Sequence, residues 1–198
     1  MAGGLPHGRP FRPAPLTPMK TEPTAFILAN TELLRPPHVP EIRLHLASEV
    51  HELWHKTESE LEEIGLPPPF WAFAWAGGQG LARYILDHPE EVRGKRVVDF
   101  ASGSGLVGIA AMQAGAAHVC AADIDPWTGS AIHLNARANG VEMEVTSQNL
   151  IGAPLEADIL LAGDVFYDRD FAEALVPGGH LYIGHSERVT GPAAAELA

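Results

Sequence analysis

The sequence predicts an α/β fold, an open parallel sheet sandwiched by helices, and three observations predict it. From residue 77 onward, short apolar strand candidates alternate with helical segments of amphipathic period. A glycine-rich loop, Asp99 to Gly108, joins one such strand to the helix that follows. Acids, Asp99 and Asp123, stand at the ends of two consecutive strands. Strands that alternate with helices pair in parallel, because a right-handed crossover returns the chain to the same sheet.

Length and composition permit this fold and restrict function. A chain of 198 residues with 46% apolar content suits one domain around a single core. No uninterrupted apolar run reaches the ~18 residues of a membrane span. Met1 to Pro18 is rich in proline and glycine and lacks the apolar stretch of a secretory signal. Cys120 is the single cysteine, which excludes an internal disulfide framework and a cysteine-based zinc cluster. A soluble cytoplasmic protein with no membrane partner is expected. The net charge of −12, without a basic stripe, gives nucleic acid nothing to follow, so none is expected as a partner. An acidic surface suits a cationic partner, such as a lysine-bearing protein face, and equally well suits simple solubility.

Taken in order, residues 1–24 read as a disordered Pro/Gly-rich tail, of which the first 18 are dispensable for folding. Residues 25–70 read as an N-terminal extension packed on the main domain. In it, Glu41 to Leu46 alternates like a half-buried strand. Ser48 to Ile64 places Val50, Leu53, Trp54, Leu61 and Ile64 near one helix face, and Pro67-Pro68-Pro69 ends that helix. Residues 71–175 read as the main domain. Helices are predicted over Gln79–His88, Leu106–Ala114 and Trp127–Asn139, the last stopped by Gly140. Strands are predicted over Arg96–Phe100, His118–Ala122, Val141–Thr146 and Asp158–Ala162. Residues 176–198 form an atypical tail.

The glycine loop carries the chemistry. Glycine admits positive φ and close approach of a ligand to the backbone, and the loop sits at the carboxyl edge where open sheets bind ligands. Gly103, Gly105 and Gly108 also spell the G-x-G-x-x-G of a dinucleotide site. Asp99 precedes Gly103 by four residues. A pyrophosphate gains nothing from a carboxylate there, whereas the ammonium of S-adenosylmethionine does. Asp123, twenty residues after Gly103, can accept hydrogen bonds from a ribose diol, which either nucleotide cofactor offers. Asp125, just before Pro126, fits a helix N-cap better. Ten histidines are scattered, and only His51 and His55 share a helical i, i+4 spacing, so no metal is expected.

Five segments occur in order: Pro69 to Gln79 (P-F-W-A-F-A-W-A-G-G-Q), the Asp99 loop, Asp123-Ile124-Asp125-Pro126, Leu134-Asn135-Ala136, and Gly163-Asp164-Val165-Phe166-Tyr167. Together, from about residue 25 to 173, they resemble the seven-strand, Rossmann-like methyltransferases related to the electron-transfer flavoprotein β-subunit lysine methyltransferase and its bacterial relatives. The resemblance implies S-adenosyl-L-methionine as cofactor and a protein substrate presenting a lysine, a flavoprotein subunit in the family. The cofactor contacts expected from loop and resemblance are Trp75, Gly77, Asp99, Ser102, Gly103, Gly105, Asp123, Ile124 and Asn149. Trp71 and Phe70 are expected mainly to pack, with Trp71, Phe73 and Trp75 on one side of an extended segment. Asp164, Phe166 and Tyr167 match the D-x-x-Y/F element of these lysine methyltransferases and are the expected catalytic group. A carboxylate can orient the incoming amine, and aromatic faces can shield it and attract its cationic character.

The end of the chain departs from the pattern. Pro177 to Glu187 is similar instead to the P-G-G-x-L-x-x-G-H-S-E stretch of chemotaxis-receptor glutamate methyltransferases. The expectation is a chain fused or truncated near Glu173, lacking the last strands, less stable for it and with turnover in question. Methylation of another protein (a ribosomal protein, or a carboxylate with Arg188 beside it), methylation of a small amine, nicotinamide-dependent reduction, and cofactor binding without activity remain alternatives. Oligomeric state is not legible.

Overall fold

The computed structural model describes residues 22–47, 69–152, 156–165, 180–185 and 188–189. Strands β3 (Arg96–Phe100) and β6 (Ile159–Gly163) are buried along nearly their whole length. Burial on both faces marks central parallel strands with layers on either side. They pair in parallel with Val97 opposite Ile159. On the far side of β3 lies β4 (His118–Ala122), with Val97 opposite Val119, and beyond it β5 (Glu144–Thr146). On the far side of β6 lie β7 (His180–His185), parallel, and β8 (Arg188–Val189), antiparallel. The order is therefore β5-β4-β3-β6-β7-β8 among the described residues. The chain runs outward from β3 and then returns to its other side, so strand order reverses between β3 and β6. At such a switch point the loops leave in opposite directions and open a crevice at the carboxyl edge.

Helices α2 (Ala76–Asp87) and α3 (Leu106–Gln113) cover one sheet face. There Leu81, Ile85, Ile109 and Ala110 meet Val97, Val119, Ile159 and Leu161 in the main core. Val98, Phe100 and Leu160 form a smaller cluster on the opposite face. Helix α4 (Thr128–Ala138) follows β4.

The extension is built onto this frame. Helix α1 (Pro23–Asn30) begins where the Glu22 side chain accepts the Ala25 N–H, with Pro23 in the first turn, where its missing N–H costs nothing. Strands β1 (Glu32–Leu34) and β2 (Leu44–Leu46) form an antiparallel pair with Leu33 opposite His45. Leu44 and Leu46 are buried in the main core, while Ile27 joins Trp71, Ala72, Trp127 and Ala131 in a second one. In that second core Trp71 stacks on Trp127, centroids 6.5 Å apart and planes within 9°, and Phe26 meets Trp127 edge-on at 5.0 Å.

Several predicted boundaries shift. Residues Glu41 to Arg43 are not strand, because Ile42 donates its N–H to Val39 in a turn after Pro40. Helix α2 starts three residues before Gln79, because a partner from outside the helix satisfies its first turn. Residues Phe70 to Ala72 form a 3₁₀ turn, so Trp71, Phe73 and Trp75 do not alternate along an extended segment. Strand β5 is confined to Glu144–Thr146. The helix predicted over Ser48–Ile64, with His51 and His55, lies outside the described residues. The atypical tail supplies β7 and β8. No helix among the described residues is long and apolar enough to cross a membrane.

Candidate active site

The loop after β3 turns by taking left-handed backbone at every second residue: Ala101 (φ 51°), Gly103 (φ 54°) and Gly105 (φ 82°). Asp99 is buried beneath it, and its Oδ2 accepts the Ser102 hydroxyl at 2.5 Å and the Gly108 N–H at 2.9 Å. One carboxylate thus draws both ends of the loop together. Burial pushes the Asp99 carboxyl up to about 6 even though Ser102 and Gly108 oppose the shift. A Cβ on Gly108 would lie 3.0 Å from Asp99 Oδ2 and 3.0 Å from Met143 Sδ, so the helix can approach the carboxylate only as glycine.

Asp123, at the end of β4, accepts the Gly103 N–H through Oδ2 at 2.9 Å and the Asp125 N–H through Oδ1 at 3.0 Å. Its burial raises the pKa against those two backbone bonds. Ile124, next to it, is 72% exposed and offers an apolar surface at the strand end. Asp125 accepts the Trp127 N–H at 2.8 Å, the capping role its place before Pro126 suggests, and burial raises it to about 6. Asn149 lies exposed after β5, with its side chain accepting the Ile151 N–H at 3.0 Å.

Beside the loop stands a small aromatic group. Trp75 is 44% exposed and Phe70 50% exposed, so Phe70 is not a core residue, whereas Trp71 is. Trp75 Nε1 donates to the Phe70 carbonyl at 3.0 Å, and its ring lies 5.8 Å from Phe70 and 5.9 Å from Phe73. A Cβ on Gly103 would have the Phe70 carbonyl oxygen as its nearest neighbour, at 4.0 Å, which places this group against the loop.

Across the switch point, Asp164 follows β6 with φ 36°, and its Oδ2 accepts the Gly78 N–H at 2.7 Å. This is the outside partner of the first turn of α2. The carboxylate lies across Gly77, where a Cβ would come within 2.7 Å of it. Gly163 makes the approach possible, since a Cβ there would stand 3.0 Å from Gly78 Cα. Phe166 and Tyr167 lie outside the described residues.

At the carboxyl edge, then, Asp99 ties Ser102 to Gly108 beneath the loop, Asp123 holds the Gly103 N–H with Ile124 exposed next to it, and Asp164 lies against Gly77 and Gly78, just after Trp75. Sequence reasoning assigned no role to Asn135, which is fully buried on α4. Its signal was present: an amide on the helix face that carries Ala131 and Ile132.

The chain is similar to known proteins along most of its length. Residues 83–165 match the family model described as Ribosomal protein L11 methyltransferase (PrmA). The chain is 41% identical over 157 residues to the electron transfer flavoprotein beta subunit lysine methyltransferase of Xenopus laevis, covering 78% of this chain and 63% of that protein. To the Caenorhabditis elegans homolog it is 34% identical over 176 residues, covering 81% of this chain and 71% of that one. The chain belongs to the electron transfer flavoprotein beta subunit lysine methyltransferase family. It spans less than two thirds of its vertebrate relatives, 58% of the Homo sapiens protein for example. Among solved structures, a ribosomal protein L11 methylase from Lactobacillus delbrueckii subsp. bulgaricus superposes with TM-score 0.45 at 24% identity, over 54% of this chain and 58% of that one. In this family member the stretch matched by the family model runs from Arg83, within α2, to Val165, and so includes the glycine loop, Asp123 and Asp164.

Proposed function

We propose that the chain binds S-adenosylmethionine and transfers its methyl group to a lysine side chain of a protein, the electron transfer flavoprotein beta subunit named in its relatives. The observation that carries this reading is a pair of strand-end carboxylates, each fixed by a backbone N–H. Asp123 stands beside the glycine loop, and Asp164 is tied down on the first turn of α2.

The residues present fit the cofactor. The loop Asp99–Gly108 contains no lysine or arginine, and the Gly103 N–H that would meet a pyrophosphate is held by Asp123. A dinucleotide is disfavoured on both counts. Asp123 would hold the ribose diol, Ile124 and Asn149 would border the adenine, and Gly103 and Gly105 would let the ligand approach the backbone. Trp75 and Gly77 would flank its methionine end, with Asp99 and Ser102 fixing the loop beneath it.

When bound, S-adenosylmethionine supplies a methyl group already activated by the sulfonium charge. The protein's task is alignment and management of one proton. Asp164 spends Oδ2 on the Gly78 N–H, so its direction is set before substrate arrives and Oδ1 can take an N–H of the incoming amine. A free lysine amine holds its proton up to about pH 10.4, and apolar surroundings lower that value. Phe70, Phe73 and Trp75 would provide such surroundings, and the family resemblance adds Phe166 and Tyr167 to that role. The proton would leave to water, and Asp164 would hold the neutral nitrogen in the orientation that methyl transfer requires.

The test is incubation of the purified chain with labelled S-adenosylmethionine and recombinant electron transfer flavoprotein, followed by mass spectrometry of the beta subunit. Label on a lysine is expected, with Asp164→Ala abolishing transfer while calorimetry still registers cofactor binding. Cofactor binding without transfer to any protein would leave a binding protein rather than an enzyme. No binding would remove the cofactor assignment itself.

A further inference from the structure

We infer that Asn135 is a positioning residue that couples the N-terminal extension to the cofactor loop, so that β2 and the loop are ordered together when the cofactor binds. This rests on the cofactor reading above.

The loop has an unusual need. Ser104 precedes Gly105, the N-cap of α3, and the helix's own ladder begins with the Ile109 N–H on the Gly105 carbonyl, so the Ser104 carbonyl has no intrahelical donor. Ser104 is buried, and a buried carbonyl without a partner is costly. Asn135 Nδ2 supplies the missing donor at 2.8 Å. The same amide turns its oxygen the other way and accepts the His45 N–H of β2 at 2.7 Å. Asn135 is fully buried, so water does not substitute for either bond. Ile132, one turn before it on α4, lies 3.4 Å from where a Cβ on Gly105 would stand, so the helix also packs against the loop.

One turn further, Asn139 provides a built-in comparison. It accepts the Arg43 N–H at 2.9 Å and donates to the Arg43 carbonyl. The two amides therefore clasp residues two apart, Arg43 just before β2 and His45 within it. Asn135 alone also holds the loop. If the link were only structural, loss of cofactor affinity would simply follow loss of stability at each position. As a coupling, it makes the loop's ordering and the strand's ordering reciprocal.

The experiment compares Asn135→Ala, Asn135→Asp and Asn139→Ala by calorimetry with S-adenosylhomocysteine at a temperature where each chain is folded. Asn135→Asp keeps the acceptor for His45 but sets an oxygen against the Ser104 carbonyl. Both Asn135 variants are expected to weaken binding about tenfold, the scale of one lost buried hydrogen bond, and Asn139→Ala, whose bonds to Arg43 are exposed, by less than about twofold. Equal effects at the two positions would overturn the inference. Hydrogen exchange on the unaltered chain tests it without any variant. S-adenosylhomocysteine should slow exchange at the Arg43 and His45 amides as well as in the loop. Protection confined to the loop would overturn the coupling while leaving the cofactor assignment standing. Failure of the unaltered chain to bind would instead remove the reading on which it rests.

Discussion

Asp164 accepts the Gly78 N–H at 2.7 Å, so the segment leaving β6 is pinned to the first turn of α2. The contact is made from a left-handed backbone at Asp164 and across two glycines that leave no room for side chains, Gly77 and Gly163. Strain at one residue is thus balanced by a helix-capping bond from the same residue, a balance common at sites that must hold a group in one direction.

That balance separates two substitutions. Asp164→Ala loses the capping bond and keeps the unfavourable φ, whereas Asp164→Gly loses the bond and relieves the backbone. Asp164→Gly should therefore be more stable than Asp164→Ala by about 1 kcal/mol, the ordinary cost of left-handed backbone for a residue with a Cβ. Thermal unfolding followed by circular dichroism checks the order. Both variants should be inactive, and equal melting temperatures would show that the backbone at Asp164 is not strained.

Packing at Gly108 gives a second prediction. A methyl group there would meet Asp99 Oδ2 and Met143 Sδ at 3.0 Å and Val119 Cγ1 at 3.2 Å. Gly108→Ala should cost about 1–3 kcal/mol, as overpacking of a dense core does. Met143 has a flexible end and can yield, but the carboxylate is fixed by Ser102. Adding Met143→Ala should therefore recover only part of the loss in urea titrations.

Much of this frame was legible in the sequence, and the reasons are particular. Arg96–Phe100 and His118–Ala122 coincide with β3 and β4 because short apolar runs bounded by glycine loops have few other solutions in an α/β chain. Asp123 and Asp164 directly follow β4 and β6, at the carboxyl ends the alternating pattern marks out. What could not be read is long-range. The start of α2 depends on Asp164, 86 residues away from Gly78. The role of Asn135 depends on a strand 90 residues earlier. The turn at Phe70–Ala72 defeated an alternation pattern because Trp71 stacks on Trp127, a contact no local period encodes.

The buried carboxyl of Asp99 predicts a pH effect of definite sign. Its pKa is raised from 3.8 to about 6 on folding, so the native state binds the proton more tightly and is relatively destabilised once the group ionises. The contribution of Asp99 to stability therefore falls as pH rises through about 6 and is regained on acidification toward 4. His45, whose pKa burial lowers, works oppositely: the unfolded chain takes up its proton first as pH falls. The difference between Asp99→Asn and the unaltered chain isolates the carboxyl. The variant's relative melting temperature should be highest at pH 7 and decline by pH 5. A difference independent of pH would show that Asp99 is ionised throughout this range.

Trp75 offers an optical test of where the cofactor sits. Among the described tryptophans, Trp71 and Trp127 are buried and stacked on one another, while Trp75 is 44% exposed beside the glycine loop. A ligand in the crevice should therefore change the emission of Trp75 and leave the stacked pair nearly unaffected. Trp75→Phe keeps an aromatic face but removes the indole N–H that holds the Phe70 carbonyl at 3.0 Å. Titration with S-adenosylhomocysteine should give a fluorescence change that Trp75→Phe abolishes and Trp71→Phe retains. Affinity, measured independently by calorimetry, should fall about threefold to tenfold in Trp75→Phe, in line with one hydrogen bond lost from the wall of the site. A full fluorescence response in Trp75→Phe would place the ligand away from this wall, and the aromatic group would then be left to the protein substrate.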